Sequence, residues 1–174
     1  MKRLFLLLLI FVSLAVGQQL PNIKNFGLVD DGIYRGAQPS PTNILELYNF
    51  GINTILDLRG DKTVAREKIV VEALSNSTKQ ITFINVPLNG LKAPTKEQIA
   101  QLLKILETAK RPIFFHCQHG QDRTGTLAAL WRMSHDNWSN EKALQEAKFY
   151  HINPLQFSMR HLISHWISFN TPTY

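Results

Sequence analysis

Short apolar runs alternate with segments of helical periodicity through the middle of the chain. Runs at 53–58 and 112–115 are rich in β-branched, leucine or aromatic residues, which predicts buried strands, and the run at 82–86 predicts another strand that ends at Pro87. A hairpin is predicted before them at Asp30-Asp31-Gly32, because Asp and Gly tolerate the positive φ of tight turns. Helices are predicted between and after the strands, at 41–50, 63–74, 96–106, 124–135, 140–149 and 155–166. This order predicts an α/β fold, a three-layer sandwich whose mainly parallel central sheet is flanked by helices.

Polar caps mark where several of these helices begin. Ser40 is followed by a proline, which suits the first helical position, and Thr95 has Gln98 three residues later as a capping box. Gly51 is expected to close the first helix. On the helix at 63–74, three apolar residues are predicted to share the side that faces the core: Val70, Ala73 and Leu74.

The composition excludes several classes of protein. With 174 residues, of which 44% are hydrophobic and 18% charged, the chain suits one domain with one core and is neither disordered nor collagen-like. The single cysteine, Cys117, excludes an internal disulfide framework and a cysteine-rich zinc site. The formal net charge of +6 comes from basic residues spread along the chain. Nucleic-acid binding is therefore not indicated, and a small anionic substrate is favoured.

The beginning of the chain has the pattern of a secretory signal peptide. The basic pair Lys2-Arg3 precedes an apolar run at 4–16 that is too short to span a bilayer, and small residues precede a predicted cleavage near Gly17. We therefore predict a signal peptide at 1–17, one mature domain at 18–174, and export as a secreted or periplasmic protein. An uncleaved membrane anchor is the alternative. No stable membrane association is expected after cleavage.

The cysteine lies in the segment HCQHGQDRTG, residues 116–125, directly after a predicted buried strand and before a predicted helix. Five residues separate Cys117 from Arg123. A loop of this length can curl so that successive N–H groups point inward around a phosphate, and Gly120 allows the backbone conformation that such a ring needs. The helix that begins near Thr124 adds its positive N-terminal end. The segment therefore predicts a phosphate-binding loop.

The side chains of this loop suggest a chemistry. A cradle that holds a phosphate also favours a thiolate, so Cys117 is predicted to be a nucleophile. Arg123 presents a planar fork that can bind two phosphoryl oxygens at once. Thr124 is placed to donate its hydroxyl to the sulfur when the cysteine leaves. His116, on the strand, is expected to brace the loop rather than to touch the substrate.

These residues resemble the signature of the cysteine-dependent protein tyrosine phosphatase superfamily, in which Cys, five residues, Arg and then Ser or Thr form the phosphate loop. The segments IYRGAQP at 33–39 and LDLR at 56–59 also resemble small dual-specificity-type phosphatases. The resemblance implies a phosphocysteine mechanism without metal or cofactor, with Cys117 as nucleophile and Arg123 as phosphate binder. It places six loop residues around the substrate: Gln118, His119, Gly120, Gln121, Asp122 and Arg123.

The general acid departs from the family pattern. The family usually supplies an aspartate from a loop between a preceding strand and helix, but here that loop, 87–94, has no carboxylate and contains Asn89. Protonation of the leaving group typically contributes about 10²–10⁴-fold to the rate. Asp122 is the first candidate, because with Arg123 it resembles the Asp-Arg pair of myotubularin-like and Sac-type lipid phosphatases. Asp61, in the loop after the strand at 53–58, is the second.

The substrate expected from the resemblance is a protein that carries phosphotyrosine, phosphoserine or phosphothreonine, or a small phosphomonoester. Hydrolysis of phosphoinositides or inositol phosphates is an alternative, although such members of the superfamily often have lysines where this loop has Gln118, His119 and Gln121. A pseudophosphatase that binds phosphate groups without turnover is another alternative, since the loop aspartate is missing. The sequence leaves the physiological substrate and the oligomeric state open.

Overall fold

The computed structural model describes residues 19–60, 62–75 and 79–167 of the chain. The predicted signal peptide at 1–17 and the second candidate acid, Asp61, lie outside these ranges. Within them, no helix combines the length and the apolar character needed to cross a membrane.

The strands of the described residues form a five-stranded sheet with the order β1-β2-β5-β3-β4. Their bounds are β1 Gly27–Asp30, β2 Ile33–Ala37, β3 Thr54–Asp57, β4 Thr82–Asn85 and β5 Ile113–Cys117. The hairpin pair β1 and β2 is antiparallel, and every other pair of neighbours is parallel. The predicted hairpin and the mainly parallel sheet are thus confirmed. The strand that leads into the candidate phosphate loop, β5, lies at the centre of the sheet.

Helices occur at all the predicted places. Their bounds are α1 Pro41–Asn49, α2 Thr63–Leu74, α3 Lys96–Thr108, α4 Asp122–His135, α5 Asn140–Phe149 and α6 Phe157–Ser164. Ser40 and Thr95 cap their helices as predicted, each with its side-chain oxygen accepting the backbone N–H three residues on.

The sheet separates two hydrophobic clusters, which makes the fold the predicted three-layer sandwich. Successive side chains of a strand point to opposite faces, so a strand buried in the middle layer contributes to both clusters. Along β5, Phe114 packs in the cluster that contains residues of α1 and α2, and Phe115 packs in the cluster that contains residues of α3 to α6. Both phenylalanines are fully buried.

The buried face of α2 differs from the prediction. Ala73 is exposed, Val70 and Leu74 are partly buried, and the two buried residues of this helix are Glu67 and Val71. The positions 67 and 71 are one helical turn apart, so they share a face. A glutamate can occupy this face because Arg59, which follows β3, and His116 of β5 pair with it. Hydrophobic periodicity gives no sign of such partners.

The remaining differences are at element ends. The strand β5 continues to Cys117, two residues beyond its predicted end, and α4 begins at Asp122 rather than at Thr124. The last helix, α6, begins after Leu155, which is exposed. The loop between strand and helix is consequently short, and Asp122 and Arg123 belong to the first turn of α4.

Candidate active site

The candidate loop, 118–121, lies where β5 ends, between the ends of β2 and β3. Cys117 is the last residue of β5, pairs with Ala37 of β2, and is buried. Ligands of open α/β sheets bind beyond the carboxyl ends of parallel strands, and this loop occupies that place at the central strand. The candidate loop therefore lies at the edge of the sheet where the sequence predicts the site.

Three successive carbonyl groups of the loop are held by donors from the β1–β2 side. Gln38 N–H donates to the oxygen of Gln118 at 3.3 Å, and the Asn25 side-chain amide donates to that of His119 at 2.8 Å. The third carbonyl, of Gly120, accepts a hydrogen bond of 2.6 Å from Arg35 Nη2. In a planar trans peptide the next N–H points opposite to the carbonyl. The N–H groups of residues 119–121 therefore point away from the β1–β2 side, which is the orientation that an anion-binding loop requires.

Gly120 permits the loop to approach β2 this closely. Its φ is +67°, a conformation that side chains other than glycine rarely adopt. A Cβ built on Gly120 would lie 2.5 Å from the carbonyl carbon of Gly36. Both restrictions involve main-chain atoms, so a side-chain rearrangement cannot relieve them.

Arg123 and Thr124 stand in the first turn of α4. Arg123 is partly buried, and its Nη1 lies 3.4 Å from the carbonyl oxygen of Leu58, which follows β3. Thr124 is fully buried, and its hydroxyl has no hydrogen-bond partner within the described residues. A buried hydroxyl without a partner costs free energy unless a ligand or another acceptor satisfies it.

A network of buried charges lies behind the loop. Arg59 binds both carboxylate oxygens of Asp57, with Nε to Oδ1 at 3.0 Å and Nη2 to Oδ2 at 2.8 Å, and its Nη2 also binds Glu67 at 2.5 Å. The His116 ring has Nε2 2.9 Å from Glu67 Oε1 and Nδ1 3.3 Å from the carbonyl oxygen of Cys117. Through His116 the end of β5, which carries the cysteine, is in contact with Glu67 of α2.

The same cluster contains the ligand types of a metal site. Ligand atoms of Asp57, Glu67 and His116 lie within 4.8 Å of one another. The Arg59 guanidinium, however, binds both carboxylates, so it already supplies the positive charge that the buried carboxylates need. The arrangement fits an ion-pair network around the loop.

Asp122 makes a contact that the sequence did not indicate. It is partly buried, and its Oδ1 accepts the backbone N–H of Asn153 at 2.7 Å. Asn153 lies between α5 and α6, so the carboxylate fixes that connection to the start of α4. This anchoring role stands beside the predicted role in proton transfer.

The loop at 87–94 is fixed by hydrogen bonds within itself and to α6. Asn89 Oδ1 accepts the N–H groups of Leu91 and Lys92, a turn in which the side chain satisfies its own backbone. The carbonyl oxygen of Gly90 accepts from Gln156 Nε2 at 2.5 Å. The loop is thereby attached to the start of α6.

A groove of about 230 Å³ lies beside the phosphate loop, between the start of α1 and the middle of α2. Gln38, which donates to the loop, and Glu67, which contacts His116, both line it. The exposed Arg66 also lines the groove. The other lining residues are mostly apolar: Pro39, Pro41, Ile44, Thr63 and Val70. The structure thus places an apolar surface next to the candidate phosphate site.

Three buried charged residues of the site were not assigned a role from the sequence, and one of them is Arg59, the last residue of the segment at 56–59. Arg35 stands in the segment at 33–39 and Glu67 on the predicted helix at 63–74. The available signal was a charged side chain at a position where strand or helix periodicity places the core. That signal shows burial of a charge but does not identify its partner.

The structure thus brings together a buried cysteine at the end of a central parallel strand, a loop whose carbonyls point away from its centre, and an arginine in the following helix, the arrangement expected of the phosphatase signature. The family model described as "DSP-PTPase phosphatase fused to NAD+ Kinase" matches residues 26–164. The chain belongs to this family, and the predicted superfamily is confirmed.

Curated relatives carry different names. The chain is 29% identical over 102 residues to the probable NAD kinase 2, chloroplastic, of Oryza sativa subsp. japonica, which covers 57% of this chain and 10% of that protein. It is 30% identical over 135 residues to the inositol diphosphatase DSP3 of Arabidopsis thaliana, with 75% of this chain and 64% of that protein covered. The chain thus spans between a tenth and two thirds of these relatives.

Solved structures share the fold. The catalytic core of the PP-IP phosphatase SIW14 from S. cerevisiae superimposes with a TM-score of 0.71, at 22% identity, over 83% of this chain and 86% of that chain. A variant of P. aeruginosa TpbA in complex with pTyr superimposes with a TM-score of 0.58, at 18% identity, over 85% and 94% of the two chains. The chain therefore shares its fold with these two proteins.

Proposed function

We propose that this protein hydrolyses phosphate monoesters through a phosphocysteine intermediate and without a metal ion. One observation carries the proposal. Directly after the buried Cys117, the three carbonyl groups of residues 118–120 accept hydrogen bonds from the β1–β2 side and so point away from the centre of the loop. The opposed N–H groups, the N-terminal end of α4 and Arg123 supply the positive charge that a phosphoryl group needs.

In the first step the Cys117 thiolate attacks phosphorus. The P–S bond forms while the P–O bond to the leaving group breaks, and the leaving oxygen keeps that bond's electron pair and takes up a proton. The loop N–H groups and the Arg123 fork bind the non-bridging oxygens as their charge redistributes. Such preorganised donors are commonly the largest contribution to catalysis of this kind.

In the second step water hydrolyses the phosphocysteine. A new P–O bond forms and the P–S bond breaks, the water gives a proton to the carboxylate left by the acid of the first step, and inorganic phosphate and the thiolate are released. Thr124 is proposed to assist by donating a hydrogen bond from its hydroxyl to the departing sulfur. Its buried hydroxyl, which has no partner within the described residues, supports this role.

The leaving-group proton is proposed to come from Asp122. Its place in the first turn of α4, next to Arg123, supports this assignment. One carboxylate oxygen is bound by Asn153 N–H, which orients the group. A phenolic leaving group needs little assistance from an acid, so phosphotyrosine hydrolysis is the reaction least dependent on Asp122.

The proposed substrates are phosphoproteins that carry phosphotyrosine, phosphoserine or phosphothreonine. The apolar groove beside the loop supports them, because it can accept an apolar side chain next to the phosphorylated residue. The variable loop positions Gln118, His119 and Gln121 add no lysine or arginine for a polyphosphate. Phosphoinositide or inositol phosphate hydrolysis is the second candidate. It is favoured by the likeness of this chain to DSP3, an inositol diphosphatase, and to SIW14, a PP-IP phosphatase.

Turnover of p-nitrophenyl phosphate in the presence of EDTA tests the proposed activity. We expect the wild-type protein to release p-nitrophenol and Cys117→Ser to be inactive, while the control Ser164→Ala, an exposed position on α6, keeps full activity. Binding of inorganic phosphate without any turnover would instead support the pseudophosphatase. Full activity of Cys117→Ser would contradict the mechanism.

A substrate panel separates the two substrate classes. We expect phosphopeptides with an apolar neighbour to be cleaved faster than phosphoinositides or inositol pyrophosphates. Val70→Glu places a charge in the groove and is expected to raise the KM for such peptides about tenfold, whereas Ile69→Glu, an exposed neighbour outside the groove, leaves it unchanged. Faster cleavage of inositol pyrophosphates would favour the second candidate.

Export is a separate proposal, based on the pattern at 1–17. The basic start, the short apolar run and the small residues before Gln18 support cleavage after Gly17. The mass and N-terminal sequence of the protein purified from its native host test this proposal. A chain that retains Met1 and stays with membranes would favour the uncleaved anchor.

A further inference from the structure

Arg35, in the middle of β2, is fully buried. Its Nη2 donates to the carbonyl oxygen of Gly120 at 2.6 Å, while Nε and Nη1 have no hydrogen-bond partner within the described residues. Burying a guanidinium with unsatisfied donors is unfavourable for folding. A residue that destabilises the interior in this way and contacts the phosphate loop needs an explanation beyond packing.

The other face of the guanidinium is covered by Tyr150, at the end of α5. The Arg35 guanidinium carbon lies 3.9 Å from the centre of the Tyr150 ring. The ring has room because residue 27 is a glycine: a Cβ at Gly27 would overlap the Tyr150 hydroxyl. Aromatic stacking and the bond to Gly120 therefore hold the guanidinium in one position between α5 and the loop.

The charge of Arg35 is only partly compensated. Burial lowers its pKa to about 10, against the attraction of Glu146, Tyr150 and Cys117, so the side chain stays protonated at neutral pH. Glu146 is shared, because its Oε1 accepts from Arg132 Nη2 at 3.1 Å. Arg132 also binds Asp136 at 2.8 Å, whereas no carboxylate of the described residues forms a direct ion pair with Arg35.

We propose that Arg35 is a positioning residue of the phosphate loop. It holds the Gly120 carbonyl outward so that the following amide points into the cradle, and its buried charge favours an anion in the loop, either the Cys117 thiolate or a bound phosphoryl group. This inference rests on the proposed function for its effect on turnover, but its effect on anion binding is independent of turnover.

Two substitutions separate the two contributions. Arg35→Met keeps the length of the side chain without charge or donors, and Arg35→Lys keeps the charge without the fork or the stacking surface. Arg132→Met is the matched control: it removes an arginine that contacts the same Glu146, as well as Asp136 and the Trp138 ring, but not the loop.

Three readouts apply to all variants. The affinity for inorganic phosphate is measured in the Cys117→Ser background, the rate of Cys117 alkylation by iodoacetamide is measured at pH 7, and kcat and KM are measured with p-nitrophenyl phosphate. We expect Arg35→Met to weaken phosphate binding about tenfold, as loss of one charge-assisted contact implies. We expect slower alkylation and a kcat/KM about 10²-fold lower, mainly through kcat.

We expect Arg35→Lys to recover part of all three losses and Arg132→Met to cause none, even where it lowers the melting temperature. A folded Arg35→Met variant with unchanged phosphate affinity, alkylation and kcat would overturn the proposal, and so would equal losses in Arg132→Met. If Arg35→Met does not fold, phosphate affinity is measured in Arg35→Lys and Tyr150→Leu instead. Wild-type affinity in both of these variants would contradict the proposal. Absence of turnover in the wild type with these binding effects intact would refute the proposed function and leave Arg35 in its role.

Discussion

Gly120 connects the conformation of a single residue to the direction of the loop amides. Its positive φ turns the chain within the loop, and its missing Cβ lets the loop lie against Gly36 of β2. That close approach brings the Gly120 carbonyl within reach of Arg35. A glycine is therefore required at position 120 by the local backbone and by the close approach of Gly36, 84 positions away in the chain.

Gly120→Ala tests this requirement. The added Cβ must displace main-chain atoms of Gly36, so we expect kcat/KM for p-nitrophenyl phosphate to fall by about 10²-fold or more. Strain at a positive φ is expected to lower the free energy of unfolding by about 1–3 kcal/mol in urea titrations. The matched control is Gly90→Ala, where a Cβ meets nothing within 4 Å. Wild-type kinetics in Gly120→Ala would contradict the description of the loop.

The contact of Asp122 with Asn153 can be separated by mutation from its proposed role in proton transfer. Asp122→Asn keeps an oxygen that accepts the Asn153 N–H but removes the acid. We expect it to slow hydrolysis of alkyl phosphates strongly and that of aryl phosphates little, because alkoxides are poorer leaving groups. Asp122→Ala removes both roles and is expected also to lower the melting temperature. Equal losses on both ester classes in Asp122→Asn would leave only the anchoring role.

At the scale of elements, one buried ion network joins β3, β5 and α2. Asp57 and Arg59 come from β3 and the residues that follow it, His116 from β5 and Glu67 from α2. The helix α2 is therefore attached to the sheet by charge as well as by Val71. This attachment explains why its buried side differs from the side that apolar residues alone predict.

Glu67→Ala tests the network. Removal of one partner leaves Arg59 and His116 buried beside a single carboxylate, and breaking a buried ion pair in this way destabilises by about 3–5 kcal/mol. On the same helix, Glu72 makes only an exposed contact with Lys68 at 3.7 Å, so Glu72→Ala should change stability by about 0–0.5 kcal/mol. Urea titrations of both variants measure the difference. Equal stability of the two would mean that the network does not attach α2.

At the scale of the whole molecule, the two hydrophobic clusters share one sheet. Phe114 and Phe115 are adjacent in β5 yet belong to different clusters. Because the strand is common to both layers, neither cluster can lose its packing without exposing the sheet that supports the other. We therefore expect the layers to unfold together.

Phe114→Leu and Phe115→Leu test this coupling. Each change removes buried volume from one cluster, with an expected loss of about 1 kcal/mol in the free energy of unfolding. Differential scanning calorimetry is expected to show a single transition for both variants, shifted down by about 2–4 °C. A second transition in either variant would show that the two layers unfold separately.

Much of this fold follows from local patterns. Capping residues such as Ser40 and Thr95 and the apolar runs of β3, β4 and β5 depend on neighbours within a few positions, so they were predicted from the sequence. The loop that follows β5 was predicted for the same reason, since its spacing, its glycine and its helix start are consecutive in the chain. The end of β5 lies two residues beyond its predicted place because pairing with Ala37 extends the strand, and α4 begins two residues earlier than predicted.

By itself, then, the sequence determined the layer architecture, the place of the phosphate loop and the identity of Cys117, Arg123 and Thr124 as its candidate residues. Tertiary structure alone decided the partners: Arg35 with Gly120, 85 residues apart, and Asp122 with Asn153, 31 residues apart. The physical reason is that periodicity and capping report the energy of neighbours along the chain. The burial of a charge is tolerated only through partners that the folded chain brings together.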